Sequence, residues 1–268
     1  MSMVFYSLRV GFAKMWANKR MLLIFYLANL LSAILLTLPY RSTVSHFVGH
    51  SLMGEFLAGQ FDMDFLFEFV KENLVIFPVL MSMSFVVALI YWLINIFLSG
   101  GALSIFAAER GYTAKEFWGN AAKYFGRYFR LSLWGIPLFL ILFSVQYVET
   151  GVEKLIFGSD PYESVSYWGD RIRVGLLSLG ILLFFMIFDY ARIYTVFTDI
   201  RQMHIAMWRS IRFTLSNLLR AFMLYFSIIV IGMLVLLSYA YVADMLSAPN
   251  SGIIFLLVLL QQLFMLFR

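Results

Sequence analysis

The chain has 268 residues and a formal net charge of +5, with hydrophobic residues making up 62% and charged residues 13%. Soluble domains run at roughly 45 to 50% and 25%, so this balance excludes a soluble globular domain and indicates an integral membrane protein. With no cysteine, disulfides, thiolate nucleophiles and thiolate metal sites are excluded as well.

Ser2 to Arg20 alternates basic residues with Phe5, Leu8, Phe12 and Trp16 at spacings of three or four, the pattern of an amphipathic helix. Its aromatic stripe would lie at the headgroup boundary while Lys14 meets anionic lipid. Met21 to Tyr40 follows, about 20 apolar residues or about 30 Å of helix, which suits a span and is long for a signal-peptide core. Arg41 to Glu72 then holds acidic residues among Phe61, Phe65 and Phe69, as expected of an interfacial helix. His46 and His50 are four residues apart and share a helical face, and Glu55 or Asp62 would be needed to complete a metal set; the spacing is not diagnostic, and no metal site is assigned.

Asn73 to Ala108 would be about 54 Å as a single helix, beyond the roughly 30 Å of hydrocarbon. The predicted span is 74–98, with Pro78 in its first turn. Ser99, Gly100 and Gly101 mark either a kink or a close approach by a neighbouring backbone. Thr113 to Arg130 repeats the basic aromatic character of the N-terminus, and Thr113 with Glu116 fits a capping box. Spans are then predicted at 131–148, 174–197, 221–242 and 252–267, with an outer turn at Ser159 to Pro161. A third basic helix covers Gln202 to Arg220. Lys14 to Arg20, Lys123 to Arg130 and Arg212 to Arg220 thus head three copies of one unit, a basic amphipathic helix followed by a transmembrane hairpin. The expected fold is an all-α polytopic bundle of about six transmembrane helices with cytoplasmic amphipathic helices, formed as one integral membrane domain over residues 1–268.

Cations occupy alternate loops: Arg9 to Arg20, Arg110 to Arg130 and Arg201 to Arg220. The loops between them are predominantly acidic. The positive-inside rule puts both termini in the cytoplasm of a bacterial inner membrane. It also accounts for the basic residues without nucleic acid, for which there is no recognition module. Lys14, Lys123, Arg127, Arg130, Arg212 and Arg220 are the expected lipid-headgroup contacts.

Asp189 and Arg192 are the two charges predicted inside the bilayer, three residues apart on one face of a helix where each can neutralise the other. With Asn95, Ser99, Gln261 and Gln262 they form the candidate polar interior. There is no P-loop, H-E-x-x-H or G-x-S-x-G motif, and no catalytic residue or cofactor is expected.

His50 to Phe69 (HSLMGEFLAGQFDMDFLFEF), Phe97 to Ala107 (FLSGGALSIFA) and Phe188 to Met203 (FDYARIYTVFTDIRQM) resemble segments of bacterial six-span membrane proteins of unassigned function. In layout the chain is also similar to the membrane domain attached to some glycerophosphodiester phosphodiesterases. The resemblance implies a fold and a location but no activity, because the phosphodiesterase site belongs to a separate soluble domain. The expected function is therefore a non-enzymatic membrane protein that binds lipid, a membrane protein partner or a second copy of itself. A small transporter or channel is the alternative. An enzyme acting on lipid would require two outer carboxylates to converge in a cleft.

Overall fold

The computed structural model describes residues 2–49, 62–108, 111–158, 162–245 and 251–264. Within them no strand occurs, and the chain forms α1 (Ser2–Ala17), α2 (Lys19–Val48), α3 (Met63–Glu72), α4 (Ile76–Ala108) and α5 (Ala114–Ser144). It continues as α6 (Tyr147–Phe157), α7 (Glu163–Phe197), α8 (Met203–Ser216), α9 (Leu218–Met245) and α10 (Ser251–Phe264). The fold is an all-α polytopic bundle. Among the described residues five stretches are long and apolar enough to cross a membrane: Lys19–Val48, Ile76–Ala108, Ala114–Phe157, Glu163–Phe197 and Leu218–Met245. The sixth predicted span corresponds to α10, which has 14 residues and so a length of about 21 Å.

Several boundaries differ from the sequence reading. Helix α2 continues past Tyr40 to Val48 and ends at Gly49, whose φ of 57° closes the last turn. Helix α4 passes through Ser99, Gly100 and Gly101 without a break. The glycines serve close approach: a Cβ on Gly101 would lie 2.8 Å from the Phe117 carbonyl oxygen, and one on Gly100 would lie 3.0 Å from Tyr124 Cβ. Helix α7 begins at Glu163, so Asp170, Arg171 and Arg173 belong to it and not to a loop. Thr113 does precede α5, yet its side chain makes no capping hydrogen bond. Asp62, by contrast, caps α3 by accepting from the amides of Asp64 and Phe65.

The largest correction concerns the basic helices. Residues 113–130 do not form a separate surface helix, because α5 runs unbroken from the basic segment into the apolar one. Its face of Phe117, Ala121, Tyr124, Arg127, Tyr128 and Leu131 is buried in protein. Helix α8 likewise buries Met203, Ala206, Met207, Ser210 and Thr214. On α1, Phe5, Phe12 and Trp16 remain exposed, as an aromatic stripe meeting lipid would be.

The chain divides into two compact units, Met1–Leu8 with Ser99–Phe226, and Arg9–Leu98 with Ser227–Arg268. In the first, α7 packs against α5, α6 and α8. Its core is Leu131, Ile187, Phe188, Ala191, Met203 and Met207, with Leu138, Leu142, Phe184 and Ile211 around it. Gly180 lets α7 approach α5 so closely that a Cβ there would stand 2.5 Å from the Leu142 carbonyl oxygen. Ser210 ties α8 to α7 by donating to the Ile187 carbonyl. In the second unit, Tyr91 donates to buried Asn29 at 3.0 Å, and the Tyr40 and Ser84 hydroxyls are 2.8 Å apart. Phe47, Phe65 and Phe69 form a ring cluster that holds α3 against α2.

Candidate functional site

The polar residues of the first unit gather along α5 and α7. On α7, the three-residue spacing of Asp189 and Arg192 brings Arg192 Nη1 to 3.7 Å from Asp189 Oδ1. This exceeds hydrogen-bond length, and the closer partner of Asp189 is Tyr225 on α9, whose hydroxyl donates to Oδ2 at 2.6 Å. The Arg192 guanidinium lies 4.5 Å above the Phe188 ring. Tyr128, on the buried face of α5, donates to the Arg192 carbonyl at 3.2 Å.

The preceding residue of α5, Arg127, is buried and donates to Asp199 Oδ1 at 2.6 Å. Lys123 Nζ stands 3.2 Å from the same oxygen, and the Tyr124 hydroxyl donates to it at 3.3 Å. Asp199 lies just beyond the end of α7 with φ of 47°, a left-handed conformation that aspartate tolerates better than most residues. Hydrogen bonds from Arg127 and then Lys123 hold its carboxyl down at about 2, against the attraction of burial for the neutral acid. Arg127 and Lys123, read from the sequence as headgroup contacts, are thus engaged by protein.

Near this node a cavity of about 310 Å³, open to the surface, is lined by Arg130, Leu133, Trp134, Arg201, Gln202, Met203 and His204, of which only Met203 is buried. Arg130, Leu133 and Trp134 recur at i, i+3 and i+4 on α5, which places them on one face. The other four come from the 198–202 connection and the first turn of α8. The Trp134 and His204 rings are 6.3 Å apart.

The remaining predicted residues are distributed differently. Ser99 belongs to the first unit, whereas Asn95, Gln261 and Gln262 belong to the second, so the candidate polar interior does not form as a single group within either unit. Asn95 donates to the Tyr91 carbonyl at 2.9 Å, Gln262 is buried and Gln261 is exposed. Lys14 is half-buried, and Arg212 and Arg220 are exposed. His46 is exposed in the last turn of α2, and His50 and Glu55 lie outside the described residues. Among the described residues no three His, Asp or Glu side chains converge to hold a metal ion. Two carboxylates do come together: Glu149 and Glu153 are one turn apart on α6, Ser166 donates to Glu153 at 2.9 Å, and a Cβ on Gly169 would collide with Glu149. The cavity lies elsewhere.

Tyr225, Tyr128, Asp199, Arg201, His204 and Trp134 were not singled out by the sequence. Asp199 did offer a signal, as a carboxylate in a loop region otherwise dominated by cations.

Fold and site together define an all-α polytopic membrane protein with a set of polar contacts along α5 and α7 and a basic, partly apolar cavity near them. No protein-family model, curated protein or solved structure matches the chain.

Proposed function

We propose that the protein is a non-enzymatic multi-pass protein of the bacterial inner membrane, with both termini in the cytoplasm, that binds lipid at its basic end. The observation that carries this reading is the cavity, which combines Arg130 and Arg201 with the apolar surfaces of Leu133 and Trp134. A soluble anion needs no such apolar wall, and an apolar ligand needs no arginines. The exposed Arg212 and Arg220 add attraction to an anionic leaflet. Mass spectrometry of the intact protein released gently from detergent micelles tests the reading. Discrete adducts of phospholipid mass, surviving exchange of detergent, are expected; bare protein at every detergent concentration would refute lipid binding.

A transporter or channel is the second reading, favoured by one observation: the Asp189 side chain is 44% exposed although it sits inside a long apolar helix. Since the chain lacks cysteine, Asp189→Cys gives a single thiol. Its reaction with a membrane-impermeant methanethiosulfonate would support a water path, and protection from both sides would remove this alternative.

A further inference from the structure

The same cavity specifies the chemistry of its ligand, in an inference that rests on the lipid-binding reading and extends it. Ion pairing separates its arginines from their neighbours. Lys123 and Arg127 both pair with Asp199, Arg192 with Asp189 and Arg173 with Asp170, but neither Arg130 nor Arg201 pairs with a carboxylate among the described residues. Arg130 uses Nε to donate to the Gly126 carbonyl at 3.1 Å, which steadies the guanidinium and leaves its terminal amino groups for a ligand. Arginine's planar fork of donors matches phosphate oxygens in pairs, a geometry that a lysine cannot offer.

The rest of the lining is suited to the same ligand. Gln202 and His204 bring further N–H donors, and the amides of Met203 and His204, the first two of α8, have no acceptor within the helix, whereas those of Ile205 and Ala206 donate to the Gln202 carbonyl. Beside these, Leu133 and Trp134 are 48% and 50% exposed, a ready surface for a glycerol backbone and the start of an acyl chain. The volume of about 310 Å³ is at the small end of ligand pockets, enough for a headgroup and not for a whole lipid.

We propose that this cavity is a receptor for the phosphate of an anionic phospholipid, clamped between Arg130 and Arg201 with its glycerol and acyl portion against Leu133 and Trp134. The test uses the full chain in neutral detergent, titrated with phosphatidylglycerol or phosphatidylcholine and read by intact-complex mass spectrometry. Arg130→Gln with Arg201→Gln is compared with Lys115→Gln plus Arg209→Gln, which removes the same charge from exposed positions outside the cavity. Phosphatidylglycerol should bind saturably and more tightly than phosphatidylcholine. The cavity double variant should weaken it by about tenfold or more, the equivalent of losing one charge-assisted hydrogen bond, while the surface pair changes it less than threefold. Circular dichroism and thermal unfolding of each variant verify folding, and Arg130→Lys should reproduce most of the loss while preserving charge.

Equal weakening by the two double variants would overturn the cavity while leaving a lipid-binding protein. Absence of any lipid adduct on the parent chain would overturn both readings. Complete displacement of phosphatidylglycerol by equimolar glycerol 3-phosphate or inorganic phosphate would show that the site takes a water-soluble phosphate compound, and the lipid assignment would fall.

Discussion

The two partners of Asp189, Arg192 and Tyr225, allow a ranking of interactions opposite to the one the sequence spacing suggests. A desolvated Asp189–Arg192 pair would make each single substitution cost about 3 to 5 kcal/mol. The observed separation of 3.7 Å, with Arg192 25% and Asp189 44% exposed, describes a looser contact, nearer to the 0.2 to 1 kcal/mol of partly solvated pairs. Tyr225 at 2.6 Å makes a charge-assisted hydrogen bond, for which roughly 1.5 to 3 kcal/mol is typical. The exposure of Asp189 sets the expectation at the lower end, about 1.5 kcal/mol, or roughly 3 to 6 °C in melting temperature for a chain of this size. Two double-mutant cycles in detergent, Tyr225→Phe with Asp189→Asn and Arg192→Met with Asp189→Asn, measure the couplings separately. The tyrosine coupling should exceed the arginine coupling by about 1 kcal/mol. An arginine coupling larger than the tyrosine one would refute this account and restore the ion pair as the dominant contact.

Gly180→Ala places a methyl against the Leu142 backbone and should destabilise the protein by about 1 to 3 kcal/mol through overpacking. Gly232→Ala, which meets open space, should be neutral or stabilising by up to about 1 kcal/mol in thermal unfolding. Because Asp199 titrates at about 2, below its ordinary 3.8, its contribution to stability is complete above about pH 4 and drains as pH falls toward 2. Asp199→Asn should flatten the acid limb of a stability-against-pH curve in that window, and an unchanged limb would remove Asp199 from the account. For topology, Ser210 is fully buried and unsuited to labelling, so Arg212→Cys and Tyr162→Cys are the informative single thiols. An impermeant maleimide should label Tyr162→Cys in whole cells and Arg212→Cys only after permeabilisation; the reverse pattern would invert the orientation.

The long helices are legible in the sequence because some twenty apolar residues in a row define a span without tertiary information. Their ends are less so, since a helix stops where the backbone is broken and not where hydropathy falls. Helix α2 carries Arg41 and Ser42 within it, passing through Pro39 and closing only at Gly49. Helix α7 likewise takes in Asp170 and Arg173. The Asp189–Arg192 contact follows from spacing alone, whereas Tyr225 is one of 15 tyrosines and only packing selects it. The amphipathic pattern of residues 113–130 misleads for a physical reason: an apolar face at helical period looks the same whether it meets lipid or another helix. Here it meets protein, and that is why Arg127 turns inward to Asp199.

The three basic segments also differ in a way that explains why the cavity forms beside the second. In the first, Asn18 interrupts the helix and its side chain donates to the Lys14 carbonyl at 2.8 Å. In the third, Asn217 does the same with the Phe213 carbonyl at 3.2 Å. Asparagine competes for backbone groups in this way and favours a break. The second segment, AAKYFGRYFRLS, has no asparagine at the corresponding place, and α5 stays continuous. A single rigid helix therefore carries both Arg127, which holds Asp199, and Arg130, Leu133 and Trp134, which line the cavity. Asp199 in turn lies two residues before Arg201, so anchoring it to α5 fixes the short connection that presents Arg201, Gln202 and His204 from the opposite wall. The Arg127–Asp199 ion pair, buried on its arginine side and exposed on its aspartate side, thereby braces the connection that carries Arg201.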